Sequence, residues 1–441
     1  MAQGLMQRIL SFDQAPPLSV PLRFFLTAPA FAIIAAMLLF WYGPQALESR
    51  WSPLTLALTH LLVLGFLATS MIGALVQILP VVAGVHLPRA KLIAGTVHFL
   101  LAVGTAALSS AFLLAQPLLF KLALLCLGSA FLSLLAMSAV GLWRVPNVSA
   151  TLWAIRLALI ALFGAVMLGA TLASAFAWTF GLPLIELTNL HARWGLLGWV
   201  GLLVIGVAYQ VVPMFQVTPL YPPYLTRWLA PVLFLLLLFW SAVDVLTRQQ
   251  PNGWNTVMSI FVALGFLLFG VATLYLLWFR KRSKPDVTVM FWRTGMVSLI
   301  ACAAVWIAGR LLPQITVAPS YALLLGVLFI VGFGYSVING MFYKIVPFLV
   351  WYHLQSAIPQ RGIVPNVKQI LTDSVTIKQF YAHLGALAIL LAAAQWPGIL
   401  TRVAGLAFAV SSCWLLVNLI SATRMYRRIK LCAADGLAMK Y

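Results

Sequence analysis

Residues Thr59–Gly84 read THLLVLGFLATSMIGALVQILPVVAG, and their frame recurs twice further along the chain. Gly65, Gly73, Gln77 and Pro80 set the frame. Gly198, Gly206, Gln210 and Pro213 repeat it in HARWGLLGWVGLLVIGVAYQVVPMF, residues His191–Phe215. Gly332, Gly340, Lys344 and Pro347 repeat it in VGFGYSVINGMFYKIVPF, residues Val331–Phe348. In each copy the second Gly follows the first by eight residues and Pro follows by fifteen, and the copies start 133 and 134 residues apart. Gly and Pro are common in membrane helices and align by chance. Matched positions in three copies at near-equal intervals point instead to three similar units, each built around one special helix.

Composition sets the medium. Of 441 residues, 63% are hydrophobic and only 8% charged, where a soluble domain carries roughly a quarter charged residues. The chain reads as an all-α polytopic membrane protein. Apolar runs of about 20 residues or more mark twelve spans. They fall near 22–43, 53–80, 90–113, 117–141, 150–178, 187–213, 225–247, 254–279, 288–312, 318–350, 378–396 and 398–422. The special segments are spans 2, 6 and 10, so the chain divides into three four-helix repeats, about 22–141, 150–279 and 288–422, in one membrane domain. The longest connection, 351–377, carries Pro359, Arg361, Pro365, Lys368 and Asp373 and reads as an exposed loop, with a basic tail at 423–441. Asp13 and the Pro16-Pro17 pair precede the first span, which reads as retained rather than as a cleaved signal.

A net charge of +20 raises the possibility of nucleic acid. The basic residues are scattered through short loops and the tail, however, as the positive-inside bias produces, so nucleic acid is not expected as a partner. With the N-terminus cytoplasmic, nineteen of the 27 Lys and Arg fall on the cytoplasmic side. Only Arg50, Lys121, Arg248, Arg310 and Arg402 fall on the other, and Arg156, Arg193 and Lys344 lie within spans. Both termini are therefore expected to be cytoplasmic, in a bacterial inner membrane, with the proline ends of spans 2, 6 and 10 on that side.

The acids inform by where they are missing. Asp13, Glu48, Glu186, Asp244, Asp286, Asp373 and Asp435 all fall at span ends, in loops or in tails, which argues against proton-coupled carriers and redox pumps. The four Cys are widely spaced with no CxxC, so neither a disulfide frame nor a zinc site is indicated. No HExxH, P-loop or GxSxG pattern occurs.

Six His remain. His86 and His353 lie at cytoplasmic span ends and read as interfacial. His60, His98, His191 and His383 lie within spans, where a neutral His can equally hydrogen-bond a neighbouring helix. His60 precedes Pro80 by twenty residues and His191 precedes Pro213 by twenty-two. At about 1.5 Å per residue both lie roughly 30 Å above their prolines, in one outer layer. An iron porphyrin takes axial nitrogens from opposite sides, and two facing helices can supply them. Arg193, in the same layer, could pair a propionate or simply snorkel at the span entrance. Trp194, Trp199, Phe66 and the surrounding Leu residues could wall a porphyrin or pack against lipid. His98 and His383 are expected roughly 15–20 Å deeper, as candidates for a second, weaker metal site or for structural roles. Lys344 is expected to snorkel or to meet lipid phosphate.

Twelve helices in three four-helix units, with His near the outer ends of spans 2 and 6 and the G-x7-G-x6-P ends, resemble subunit I of the haem–copper oxidases. That resemblance implies a pseudo-threefold bundle whose second, sixth and tenth helices line three pores, with haem toward the outer side. In that family the tenth helix carries two haem ligands and the seventh a His pair for copper. Here span 10 and span 7 carry no His, so a complete oxygen reductase is not expected. The chain is more similar to stand-alone relatives such as the NnrS-type haem- and copper-containing membrane proteins linked to nitric oxide metabolism. The expectation is one haem b held by His60 and His191, with copper as a possible second cofactor. Its role would be electron transfer, or nitric oxide, haem or copper handling, alongside a respiratory-chain donor or complex and membrane lipid. A haem-free transporter and an assembly factor for a respiratory complex are the rivals.

Overall fold

The computed structural model describes residues 16–83, 89–143, 145, 149–247, 253–282, 284–358 and 364–434. His86, Asp13, Arg248, Pro359, Arg361 and Asp435 lie outside them. Among the described residues, twelve helices are long and apolar enough to cross a membrane, and the protein is an integral membrane protein. They are α1 (Ser19–Leu47), α2 (Pro53–Val81), α3 (Ala90–Leu114), α4 (Pro117–Leu142), α5 (Ala150–Trp178) and α6 (Leu184–Gln216). They continue as α7 (Pro223–Leu246), α8 (Gly253–Trp278), α9 (Val287–Leu311), α10 (Pro319–Ala357), α11 (Asp373–Ala393) and α12 (Pro397–Cys432). In hydrocarbon every backbone N–H and C=O must be satisfied internally, and helices do this segment by segment.

Three helices form the centre. In α2, α6 and α10, 72% of the most apolar stretch is buried, against at most 50% in any other span. These are the helices that carry the Gly–Pro frame. The frame has a packing cause. A Cβ on Gly65 would lie 2.5 Å from Phe31 Cβ, and one on Gly73 would lie 2.6 Å from Phe24 Cβ, both on α1. On α6, Gly198 and Gly206 meet Ala161 and Ala154 of α5 at 2.7 and 2.6 Å. On α10, Gly332 and Gly340 meet Ser298 and Phe291 of α9, both at 2.6 Å. Each central helix thus lies backbone-close along the helix before it, and the partner residues are seven apart every time. Without a hydrophobic force between helices in lipid, such close approach is how van der Waals contact binds them.

The same three helices share a second feature. Each contains a π-helical segment: Leu61–Ala68 in α2, Arg193–Gly201 in α6 and Val327–Tyr335 in α10. Such turns are uncommon, usually single, and concentrated at functional sites. A side-chain hydroxyl closes two of them by reaching the carbonyl five residues back. Thr69 donates to Leu64 at 2.9 Å and Ser336 to Val331 at 3.3 Å. The α2 and α10 segments touch: Phe66 stacks on Tyr335 at 4.0 Å, and Leu67 lies against Gly334.

Polar bonds join α10, α11 and α12. Ser336 and the Nε2 of His383 share a hydrogen bond of 2.8 Å, and Tyr335 and Ser412 one of 3.0 Å. Asn418 donates to the Tyr343 hydroxyl at 2.9 Å, and Gln379 donates to Ser411. These groups are buried, and each such bond in a bundle contributes about 0.6 kcal/mol.

Three boundaries differ from the sequence reading. α10 continues past Pro347 to Ala357, beyond the expected end near 350. α11 starts at Asp373, ahead of the expected 378, and a single turn, Val367–Ile370, sits within the connection. The last helix runs to Ala434, well into the stretch read as tail. All three extensions mix polar and apolar residues, and a hydropathy window detects where a span is apolar, not where a helix stops. The proline that closes the frame in α10 does not end that helix either.

The close contacts make one substitution informative. Gly206→Ala drives a methyl against Ala154 and is expected to cost about 1–3 kcal/mol by overpacking. A methyl added to Gly385, on α11, would meet nothing within 4 Å, so Gly385→Ala is expected to leave stability unchanged or slightly raised. Thermal unfolding in detergent, followed by tryptophan fluorescence, compares the two.

Candidate functional site

His60 ends the first α-helical stretch of α2, directly before its π segment. His191 sits two residues before the π segment of α6. The structure brings the two rings together: their centroids lie 6.2 Å apart and their planes differ by 20°. Each Nδ1 bonds a backbone carbonyl, His60 to Leu56 at 2.8 Å and His191 to Ala165 at 3.0 Å. A carbonyl only accepts, so Nδ1 carries the hydrogen on both rings and Nε2 is left with its lone pair. This is the arrangement in which an imidazole serves a metal, with the remote nitrogen fixing tautomer and orientation. Nitrogen–metal bonds of about 2.0 Å, plus the ring radii, put two imidazole centroids roughly 6 Å apart across a shared ion.

Both rings line a cavity of about 530 Å³. Its walls are mostly apolar. α5 presents Ala165, Gly169 and Ala173 to it, four residues apart and therefore on one helix face. Gly169 makes room for the His191 ring, since a Cβ there would lie 2.9 Å from His191 Cε1. Phe112 of α3 lies near-parallel to His60, with centroids 5.4 Å apart, and Phe131, Phe176 and Trp199 complete the aromatic lining. Arg50 and Trp51, from the turn between α1 and α2, also line it. The Arg50 guanidinium lies 4.0 Å over the Trp51 ring and donates to Asn189 at 2.6 Å. Desolvation there lowers the pKa of Arg50 from its ordinary value, which leaves an arginine still charged at neutral pH.

Arg193 lies elsewhere. Its guanidinium is ion-paired with Asp244 of α7 and lies 3.6 Å over the Trp240 ring. Both charged side chains are buried, at 9% and 7% exposure. Trp194 follows it, donating to Ser241 at 3.1 Å. Arg193 is thus committed to α7 and is not among the cavity-lining residues, while Arg50 is. Sequence reasoning passed over Arg50 as one of a few outer-side charges, although its place next to Trp51, ten residues before His60, was visible. Of the proposed aromatic walls, Trp199 lines the cavity, whereas Phe66 stacks on Tyr335.

The other candidates make contacts of their own within the bundle, although among the described residues the Nδ1 of His383 is buried without a hydrogen-bond partner. His98 shares its Nε2 with Thr27 at 2.9 Å and meets the edge of Phe24. His383 bonds Ser336 and stacks on Tyr335. Among the described residues no three His, Cys, Asp or Glu side chains converge as a metal site. Lys344 pairs with Asp286 at 2.5 Å, which also caps α9 by accepting from the Val289 N–H at 3.1 Å. His353 reaches the carbonyls of Leu349 and Pro16.

The buried ion pair yields a prediction. Arg193→Ala leaves Asp244 unpaired and is expected to destabilise the protein by about 3–5 kcal/mol, whereas the double change Arg193→Met with Asp244→Leu recovers most of that loss. Denaturation in mixed micelles measures both. Comparison of the sequence with protein-family models returns no match, and comparison with curated proteins returns none at a significant level.

Proposed function

We propose that this protein binds one b-type haem between α2 and α6, that His60 and His191 would hold it, and that the protein serves electron transfer in a bacterial inner membrane. The observation that carries the reading is the imidazole pair: two Nε2 lone pairs, fixed by Nδ1 bonds to Leu56 and Ala165, on rings 6.2 Å apart beside an apolar cavity. Held by two imidazoles, a haem would supply one-electron transfer rather than gas binding.

The chain's own residues have defined parts. His60 and His191 are each held in one tautomer by a backbone carbonyl, and their Nε2 atoms would hold the group. The flat strip of Ala165, Gly169 and Ala173 leaves space for a broad planar group. Phe112, Phe131, Phe176 and Trp199 keep water out, and Arg50 offers charge to a carboxylate such as a propionate. On this reading the three Gly–Pro helices are the corresponding helices of three four-helix units, arranged as in haem–copper oxidase subunit I. The common pairing of each with its preceding helix supports that arrangement. The distribution of Lys and Arg supports an orientation with both termini in the cytoplasm. Two imidazoles alone could also hold a copper ion, a handling role the same geometry permits.

The apolar lining favours a second reading, a haem-free carrier of an apolar solute. The visible spectrum of the purified protein, oxidised and dithionite-reduced, with a pyridine haemochrome assay and metal analysis, separates these. The expected outcome is near-stoichiometric haem b, lost in both His60→Ala and His191→Ala and kept in His98→Ala and His383→Ala. Copper at one equivalent without haem would replace the cofactor. A colourless, metal-free protein from haem-sufficient cells would overturn the reading and leave the carrier.

A further inference from the structure

α1 and α3 begin at the same end of the bundle, and their first turns form a basic recess. Arg23 of α1, with Arg89 and Lys91 at the start of α3, lines a shallow, open recess that also takes in Leu92, Gly95 and Phe99. Among the described residues the three cations form no ion pair: the pairs there are Arg193–Asp244, Lys344–Asp286 and Lys368–Asp373. Arg23 is held rather than loose. Its Nε donates to the Ser19 carbonyl at 3.2 Å. Its terminal nitrogen lies over Gly95, where a Cβ would be only 2.7 Å away. One turn deeper the same helix pair is fixed by the Thr27–His98 bond and by the edge of His98 against Phe24. Arg89 takes a left-handed backbone, φ +50°, at the N-cap of α3.

Below the cations the surface turns apolar. Leu92 is 65% exposed and Phe99 64%. They lie seven residues apart on one face of α3, about 10 Å along its axis. A ring of cations at the end of a span, above an exposed apolar strip, matches a phosphate and the acyl chain that hangs from it. A free anion would use the cations alone.

We propose that this recess binds the phosphodiester of an anionic phospholipid, with Arg23, Arg89 and Lys91 as its ligands and Leu92 and Phe99 against the acyl chain. Gly95 is the specificity element, because a side chain there displaces the Arg23 guanidinium. The site is independent of the histidine cavity and stands whether or not haem binds.

The test uses the full-length protein, delipidated in neutral detergent. Native mass spectrometry and thermal unfolding are followed on addition of phosphatidylglycerol, phosphatidylcholine or inorganic phosphate. Wild type is expected to retain phosphatidylglycerol at least fivefold better than phosphatidylcholine and to be stabilised by it, with no response to phosphate at equal concentration. Combined Arg23→Gln, Arg89→Gln and Lys91→Gln removes the preference, as does Gly95→Leu. Arg427→Gln, Arg428→Gln and Lys430→Gln together, which remove the same charge from an exposed stretch of the last helix, keep it. Arg89→Gln alone, at an exposed position, is expected to weaken binding without disturbing the fold, and covers the case of a triple variant that does not fold. An unchanged preference in Arg89→Gln and Gly95→Leu, or equal loss in the last-helix variant, overturns the proposal. Stabilisation by inorganic phosphate equal to that by phosphatidylglycerol overturns the lipid assignment.

Discussion

Backbone-close packing of α2, α6 and α10 against α1, α5 and α9 is the constraint on which everything else rests. Two glycines per helix let the chains approach until a methyl would overlap its neighbour. In a bilayer no solvent squeezes helices together, so contact area at short range must do it. The close approach fixes the position of each central helix along and across its partner. The ends of α2 and α6 that carry His60 and His191 inherit that placement.

The π segments then act on rotation. In a π turn each residue advances the chain around the axis less than in an α turn, so a segment of eight or nine residues resets which face the flanking residues present. His60 and His191 sit at the entrances of two such segments, and their rings meet. The third segment, in α10, carries no His at its entrance and instead packs Tyr335 and Gly334 onto α2. One backbone device thus serves a histidine pair in two helices and a packing contact in the third.

This division explains what could be read in advance. The twelve spans follow from hydropathy, and the Gly–Pro frame follows from spacing, because both are local. The shared layer of His60 and His191 follows from rise per residue. Their facing does not, since no residue pattern announces a π segment and rotation depends on it. Arg193 illustrates the other limit. Its depth was legible, but its partner, Asp244, lies fifty-one positions away and appears in the sequence only as an acid near a span end. Arg50 was legible as a charge but not as a cavity residue, because it joins the lining through the tertiary packing of the turn that carries it. Likewise Lys344 looked free for lipid until α9 brought Asp286 beside it.

The Arg193–Asp244 pair has a consequence for how the chain enters a bilayer. Arg193 lies near the start of α6 and Asp244 near the end of α7, and only residues 217–222 separate the two helices. Either helix alone would carry an unpaired charge toward hydrocarbon, at about 2.5–3.5 kcal/mol on an insertion scale for a central position. Partitioned together as a hairpin, they cancel that charge across their open ends. Biosynthesis is therefore biased to hold α6 at the translocation machinery until α7 has emerged, so that the two enter lipid as one unit.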